Sequence, residues 1–317
     1  MSLPHYAVAA LQNALGQTHA ALLRRLFGGG PPATLFHYTT PAGLVGILRS
    51  GKLWASHYTS LSGDTNEGEY ARQLLAQSVA RRIAGDFPEP PRSTSDWVER
   101  IRWQVLGTDD GGLPDAHVLC LTEHEDYPNQ WRLYGASGGG FAIGLDTRLF
   151  KLEENVEMER VIYDLGDQVA TFEDVLLAAG ASLSSVVGAD LYDPDVTWRL
   201  TAAGTGAVRG CVAAAASVFK APPFREEAEW RVILVSGNSA HVPYPRRTAD
   251  ALTRSVGGRE LSYFEVALQS GRLPIVSIDI GPGLDFGREA PRVRELLLET
   301  GYDPATIAIR ASRCPAP

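Results

Sequence analysis

Residues 35–70 read LFHYTTPAGLVGILRSGKLWASHYTSLSGDTNEGEY, and the rest of the chain is organised around this stretch. Its first five residues, Leu35, Phe36, His37, Tyr38 and Thr39, are aromatic, apolar and β-branched types that favour a strand. Pro41 closes that strand. Leu44, Ile47 and Leu48 then recur at helical spacing until Ser50-Gly51, where glycine can adopt the left-handed conformation that ends a helix. Lys52 to Ser56 returns to an extended pattern. If the two strands pair, His37, Tyr38, Ser56, His57 and Tyr58 gather at one sheet edge. Two imidazoles, two phenols and several hydroxyls together read better as a site than as packing.

The 317 residues are 44% hydrophobic, enough to bury a core without disulfides. Cys120, Cys211 and Cys314 are odd in number and widely spaced, which supports neither a disulfide framework nor a zinc site. The amino terminus lacks a basic region followed by an apolar run, and no segment supplies the ~20 apolar residues a bilayer span needs. A cytoplasmic protein with no membrane partner is expected. The net charge of -8 argues against broad binding to nucleic-acid backbones, while leaving room for a local nucleotide site.

Upstream, Tyr6 to Phe27 reads as an amphipathic helix, and Gly28-Gly29-Gly30-Pro31-Pro32 as a linker. The expected division is residues 1–30 as helix and linker, and residues 31–317 as one α+β domain. Downstream, Asn66 to Ala84 reads as a helix capped by Asp64 or Thr65, with Glu67 and Glu69 in its first turn. Capping and a ligand role account equally well for Asp64 and Glu67. Ser95 to Leu106 reads as another helix.

A second informative stretch covers residues 117–147, HVLCLTEHEDYPNQWRLYGASGGGFAIGLDT. Two short apolar runs, His117 to Thr122 and Gly140 to Asp146, have the length of central strands. Between them Gln130, Trp131, Arg132 and Tyr134 form either a pocket wall, with a ring for stacking and polar groups for orientation, or a packed aromatic turn. Ser137-Gly138-Gly139-Gly140 precedes a strand, so it lacks the helix that a phosphate loop requires and reads as a flexible turn.

The third stretch, residues 220–235, reads KAPPFREEAEWRVILV and ends in a clear strand. In an extended chain Glu227, Glu229 and Arg231 share one side. Two carboxylates so placed need either a structural ion-pair cluster with Arg231 or Arg225, or a ligand. An alanine-rich helical region, Asp195 to Phe219, precedes this stretch, and the end of the chain reads as strand (Ile275 to Ile280), helix (Pro291 to Leu298) and strand (Thr306 to Ile309). Strands and helices mixed without regular alternation favour an α+β fold with a mixed sheet core.

In combination these motifs resemble a bacterial family of domains of unknown function, number twenty-nine seventy-one. They comprise His37-Tyr38-Thr39, Gly51-Lys52-Leu53-Trp54, Asp64 to Glu67, Gln130-Trp131 with Tyr134, Gly140 to Asp146, Glu227 to Arg231, and Ile278 to Pro282. Gly63 departs from the asparagine usual before the aspartate. The order of the His-Tyr-Thr strand, the helix, the second strand and the late Glu-x-Glu strand is also similar to ADP-ribosyltransferases. That resemblance implies a cleft holding NAD as substrate, with His37 on a ribose hydroxyl and Glu229 as the catalytic glutamate. Glu227 would activate the acceptor, and Tyr58 or Trp131 would stack on nicotinamide. Tyr38, Thr39, Ser56, Gln130 and Arg231 complete the expected nucleotide-binding set, with no metal. The alternatives are a non-catalytic module binding a nucleotide or a protein partner, and a magnesium nuclease built on Asp64, Glu67 and Glu227.

Overall fold

The structure is a computed structural model. It describes residues 30–57, 92–106, 116–150, 158–186, 217–236, 246–247 and 251–316 except 257 and 267, with further helical positions within 9–22, 70–78 and 196–208. Tyr58, Asp64, Glu67 and the 28–32 linker are outside these described residues, apart from Gly30, Pro31 and Pro32.

The opening stretch folds as strand, helix and strand: β1 (Thr34–Thr39), α1 (Pro41–Ser50) and β2 (Leu53–His57). Local chemistry sets the limits of α1. The Thr40 side chain accepts from the Gly43 amide at 3.1 Å, Pro41 occupies the first turn, and Gly51 ends the helix at φ 65°. The two strands do not pair with each other, so the condition for gathering their side chains at one edge is not met. Instead β1 lies between β3 (Ala116–Thr122) and β4 (Phe141–Asp146), while β2 lies between β3 and β9 (Arg259–Val266).

β3 is the spine of a mixed, open sheet. β6 (Glu229–Ser236) pairs antiparallel with it along its whole length, from Ala116↔Val235 to Thr122↔Glu229. One edge of β3 is thus fully used, and β1 and β2 must share the other. β1 meets it at Thr122 and β2 at His117 and Val118, so the sheet forks between them. Outward from β1 follow β4, β10 (Ile275–Ile280) and the parallel edge strand β11 (Ala308–Ala311). Outward from β2 follow β9 and β8 (Leu252–Val256). β5 (Met158–Arg160) and β7 (Arg246–Arg247) flank β6.

Helices cover both faces. On one, α2 (Arg92–Leu106) and α3 (Leu165–Val186) bury Val98, Ile101, Phe172 and Leu176 against Val118 and Ile233. On the other, α1 and α4 (Phe286–Glu299) bury Leu44, Leu48, Val293 and Leu297 against Leu35, Ile143 and Ile278. Each such leucine contributes roughly 2 kcal/mol by leaving water. α4 begins before the expected Pro291 because the Asp285 side chain caps it, accepting from the Arg288 amide at 2.7 Å. No helix among the described residues is long and apolar enough to cross a membrane.

The glycine run before β4 is held by close backbone contact. Gly281 donates to the Gly140 carbonyl and Gly283 to the Gly138 carbonyl, both at 2.9 Å. A β-carbon on Gly281 would stand 2.3 Å from the Gly138 oxygen, and one on Gly140 would stand 2.3 Å from the Thr39 oxygen. The glycines permit this approach.

Candidate functional site

Four buried ionisable side chains, Lys220, Glu227, Glu229 and Arg231, meet where β6 begins. Glu227 does not lie on the strand with Glu229 as expected. It ends a 3-10 turn, Pro222–Glu227, and Ala228 stands between the two glutamates at φ 43°, a left-handed conformation unfavourable for alanine. That kink turns Glu227 onto Lys220, with which it forms an ion pair. Lys220 also reaches Glu229 Oε2 at 3.3 Å. Arg231 holds Glu229 in a two-pronged grip, Nε to Oε1 at 3.1 Å and Nη2 to Oε2 at 3.0 Å, and gives Nη1 to the Ser217 carbonyl at 2.7 Å.

Neighbouring polar groups surround this quartet. The Glu229 amide donates to the Tyr163 hydroxyl at 3.1 Å, the Thr122 hydroxyl to the Glu227 carbonyl at 2.7 Å, and Gln130 Nε2 to that carbonyl at 3.4 Å. The Tyr134 hydroxyl approaches Glu227 Oε1 at 3.4 Å, and Cys120 pairs across the ladder with Arg231. The two carboxylates are driven apart. Burial alone would raise Glu229, but the charges of Arg231 and Lys220 outweigh it and hold the group down at about 2. Burial pushes Glu227 up, with Lys220 only partly opposing it.

Trp131 lies on a short helix, Pro128–Leu133, which crosses the same face of the sheet. Its ring meets Tyr38 edge-on at 4.8 Å, and its Nε1 donates to Asp126 Oδ1 at 2.7 Å. The Tyr38 hydroxyl donates to the His124 and Glu125 carbonyls at 3.2 and 3.0 Å. With Trp131 only 2% exposed, this is a packed aromatic element and no open stacking surface.

His37 is elsewhere. It pairs across the ladder with Ile143, and so shares a face with Leu35 and Ile143, whereas Phe36 pairs with Thr122, which pairs with Glu229. Alternation therefore directs His37 and Glu229 to opposite faces. His37 and Trp131 do not line a common cleft. The imidazole occupies the fork, where Nδ1 donates to the Cys120 carbonyl at 3.1 Å, since a carbonyl can only accept. Burial lowers its pKa, against the raising effect of the Cys120 carbonyl, and so favours the neutral ring. Ser56 lies in the other half of the sheet, accepting from Arg254 at 2.9 Å. Thr39 is buried at the end of β1, and its carbonyl faces Gly140.

The structure thus unites Gln130, Glu227, Glu229 and Arg231, sets Tyr38 and Trp131 beside them, and separates Thr39, Ser56 and His37. Sequence reasoning missed Lys220, Tyr163 and Cys120. Lys220 carried a signal, a lone cation after Ser-Val-Phe and seven residues before Glu227. Tyr163 and Cys120 had none, being brought in by strand pairing.

Comparison with curated proteins and with solved structures gives no match. The segment from Gln130 to Val232, which contains most of this cluster, matches a known family. Residues 130–232 match the family described as Protein of unknown function (DUF2971), the family that the motifs resemble.

Proposed function

We propose that the chain is an NAD-using transferase or glycohydrolase of the ADP-ribosyltransferase kind, acting at the cluster of Glu227 and Glu229. The observation that carries this reading is the pair of buried carboxylates at the head of β6, Glu229 gripped by Arg231 and held down at about 2, Glu227 paired with Lys220 and raised by burial. Environments that separate neighbouring carboxyl groups in this way divide electrostatic and proton-transfer roles between them. Breaking the ribose–nicotinamide bond sends its electron pair to the ring nitrogen and leaves oxocarbenium charge on the ribose. Glu229, fixed by Arg231, provides a preorganised negative group for that charge. Glu227 accepts the proton released when an acceptor hydroxyl, or water, adds to the ribose carbon.

A second reading is a non-catalytic nucleotide-binding module. Both oxygens of Glu229 are engaged by Arg231, and the residue is 6% exposed, which is how a structural ion pair looks. Incubating the protein with NAD and measuring both binding and nicotinamide release separates the two. The transferase reading expects release, reduced on the order of 10² to 10³-fold per folded molecule in Glu229→Gln. Saturable NAD binding without release supports the module, and absence of both removes NAD from the account.

A further inference from the structure

A cavity of about 390 Å³ lies between the end of β10, the Glu125-Asp126 loop and the end of β11 with Arg313 beyond it, lined by Glu125, Asp126, Asp279, Arg310, Ala311 and Arg313. Its volume suits a small molecule. Most of its charged groups already have partners. Asp126 accepts from the Trp131 ring nitrogen, the Ser312 hydroxyl at 2.6 Å and the Arg313 amide at 2.7 Å, and Glu125 is ion-paired with Arg310.

Two groups are left over. Asp279 is 3% exposed, and among the described residues it accepts one hydrogen bond, from the Ser277 hydroxyl to Oδ2 at 3.3 Å, and none at Oδ1. Asp279 lines the cavity, and a carboxyl this enclosed gains from a donor placed there. Burial, chiefly, raises this carboxyl to about 7, with Asp126 adding to the shift. Arg313 touches Asp126 only at 3.7 Å, and its side chain is 82% exposed at the mouth. An inorganic anion would meet three carboxyl groups here, and a divalent cation would meet two guanidinium groups.

We propose that this cavity binds a small zwitterion, whose cationic N–H group donates to Asp279 and whose carboxylate or phosphate pairs with Arg313. The site is separate from the glutamate cluster and does not depend on NAD chemistry. Calorimetric titration of the full chain with L-arginine, L-lysine and phosphoethanolamine, with agmatine as a probe lacking the anionic group, tests it. At least one of the three zwitterions should bind saturably below about 10 mM and more tightly than agmatine. Asp279→Asn should weaken that binding on the order of tenfold or more, as loss of a charge-assisted bond does. Arg313→Ala, an exposed change that leaves the fold intact, should abolish the advantage over agmatine. Failure of all three zwitterions to bind, or binding unchanged by both substitutions, overturns the proposal.

Discussion

At the scale of single residues, Glu229 is decided by its partners. Its two-pronged contact with Arg231 and its contact with Lys220 are made out of water, where losing one member of an ion pair strands the other. Glu229→Gln should therefore destabilise the fold by roughly 3 kcal/mol at pH 7, measured by chemical unfolding. The pH profile gives an independent check. With its folded pKa depressed to about 2 from the ordinary 4.5, Glu229 contributes stability that is complete above 4.5 and lost as the pH falls towards 2. The variant should lose less stability than the native chain across that window; equal acid sensitivity would detach Glu229 from the quartet. Turnover per folded molecule, read on the same samples, shows whether the residue also carries chemistry.

At the scale of elements, the contact between two glycine turns fixes how β4 enters the sheet beside β10. The Gly138–Gly140 turn and the Gly281–Gly283 turn share two backbone bonds, with no room between them for a methyl group. Gly281→Ala should cost about 2 kcal/mol, the range of overpacking against an unyielding neighbour, and thermal unfolding would show it. An unchanged midpoint would mean that the turns separate freely. Element type was legible in sequence where local chemistry is strong: α1 had Pro41 and Gly51, and β10 was a bounded apolar run. Partnership was not. Nothing in residues 34–57 shows that β1 and β2 join different sections of β3, since pairing depends on strands more than sixty residues away. The kink at Ala228 was hidden for a similar reason, because a left-handed alanine is imposed by its surroundings and has no sequence mark.

At the scale of the whole molecule, the fork makes β3 the strand on which both halves of the sheet depend. The β1, β4 and β10 half and the β2 and β9 half reach each other through β3, and β6 lies along its opposite edge. β3 and β6 are also enclosed by core on both faces, with Val118 and Ile233 in one cluster and Leu119 and Val232 in the other. Opening them requires both layers to separate, whereas β8 is at an edge with Leu252 exposed. Local stability should follow that arrangement. In native-state hydrogen exchange the amides of β3 and β6 that bond to one another should exchange only through global unfolding. Those linking β8 to β9 should exchange through smaller openings, with protection lower by at least tenfold, or about 1.4 kcal/mol. Equal protection in β8 and β3 would mean that the halves unfold as one unit. Slower exchange at β10 than at β3 would place the spine of the sheet elsewhere, because the strand joining the two halves must be the last to open.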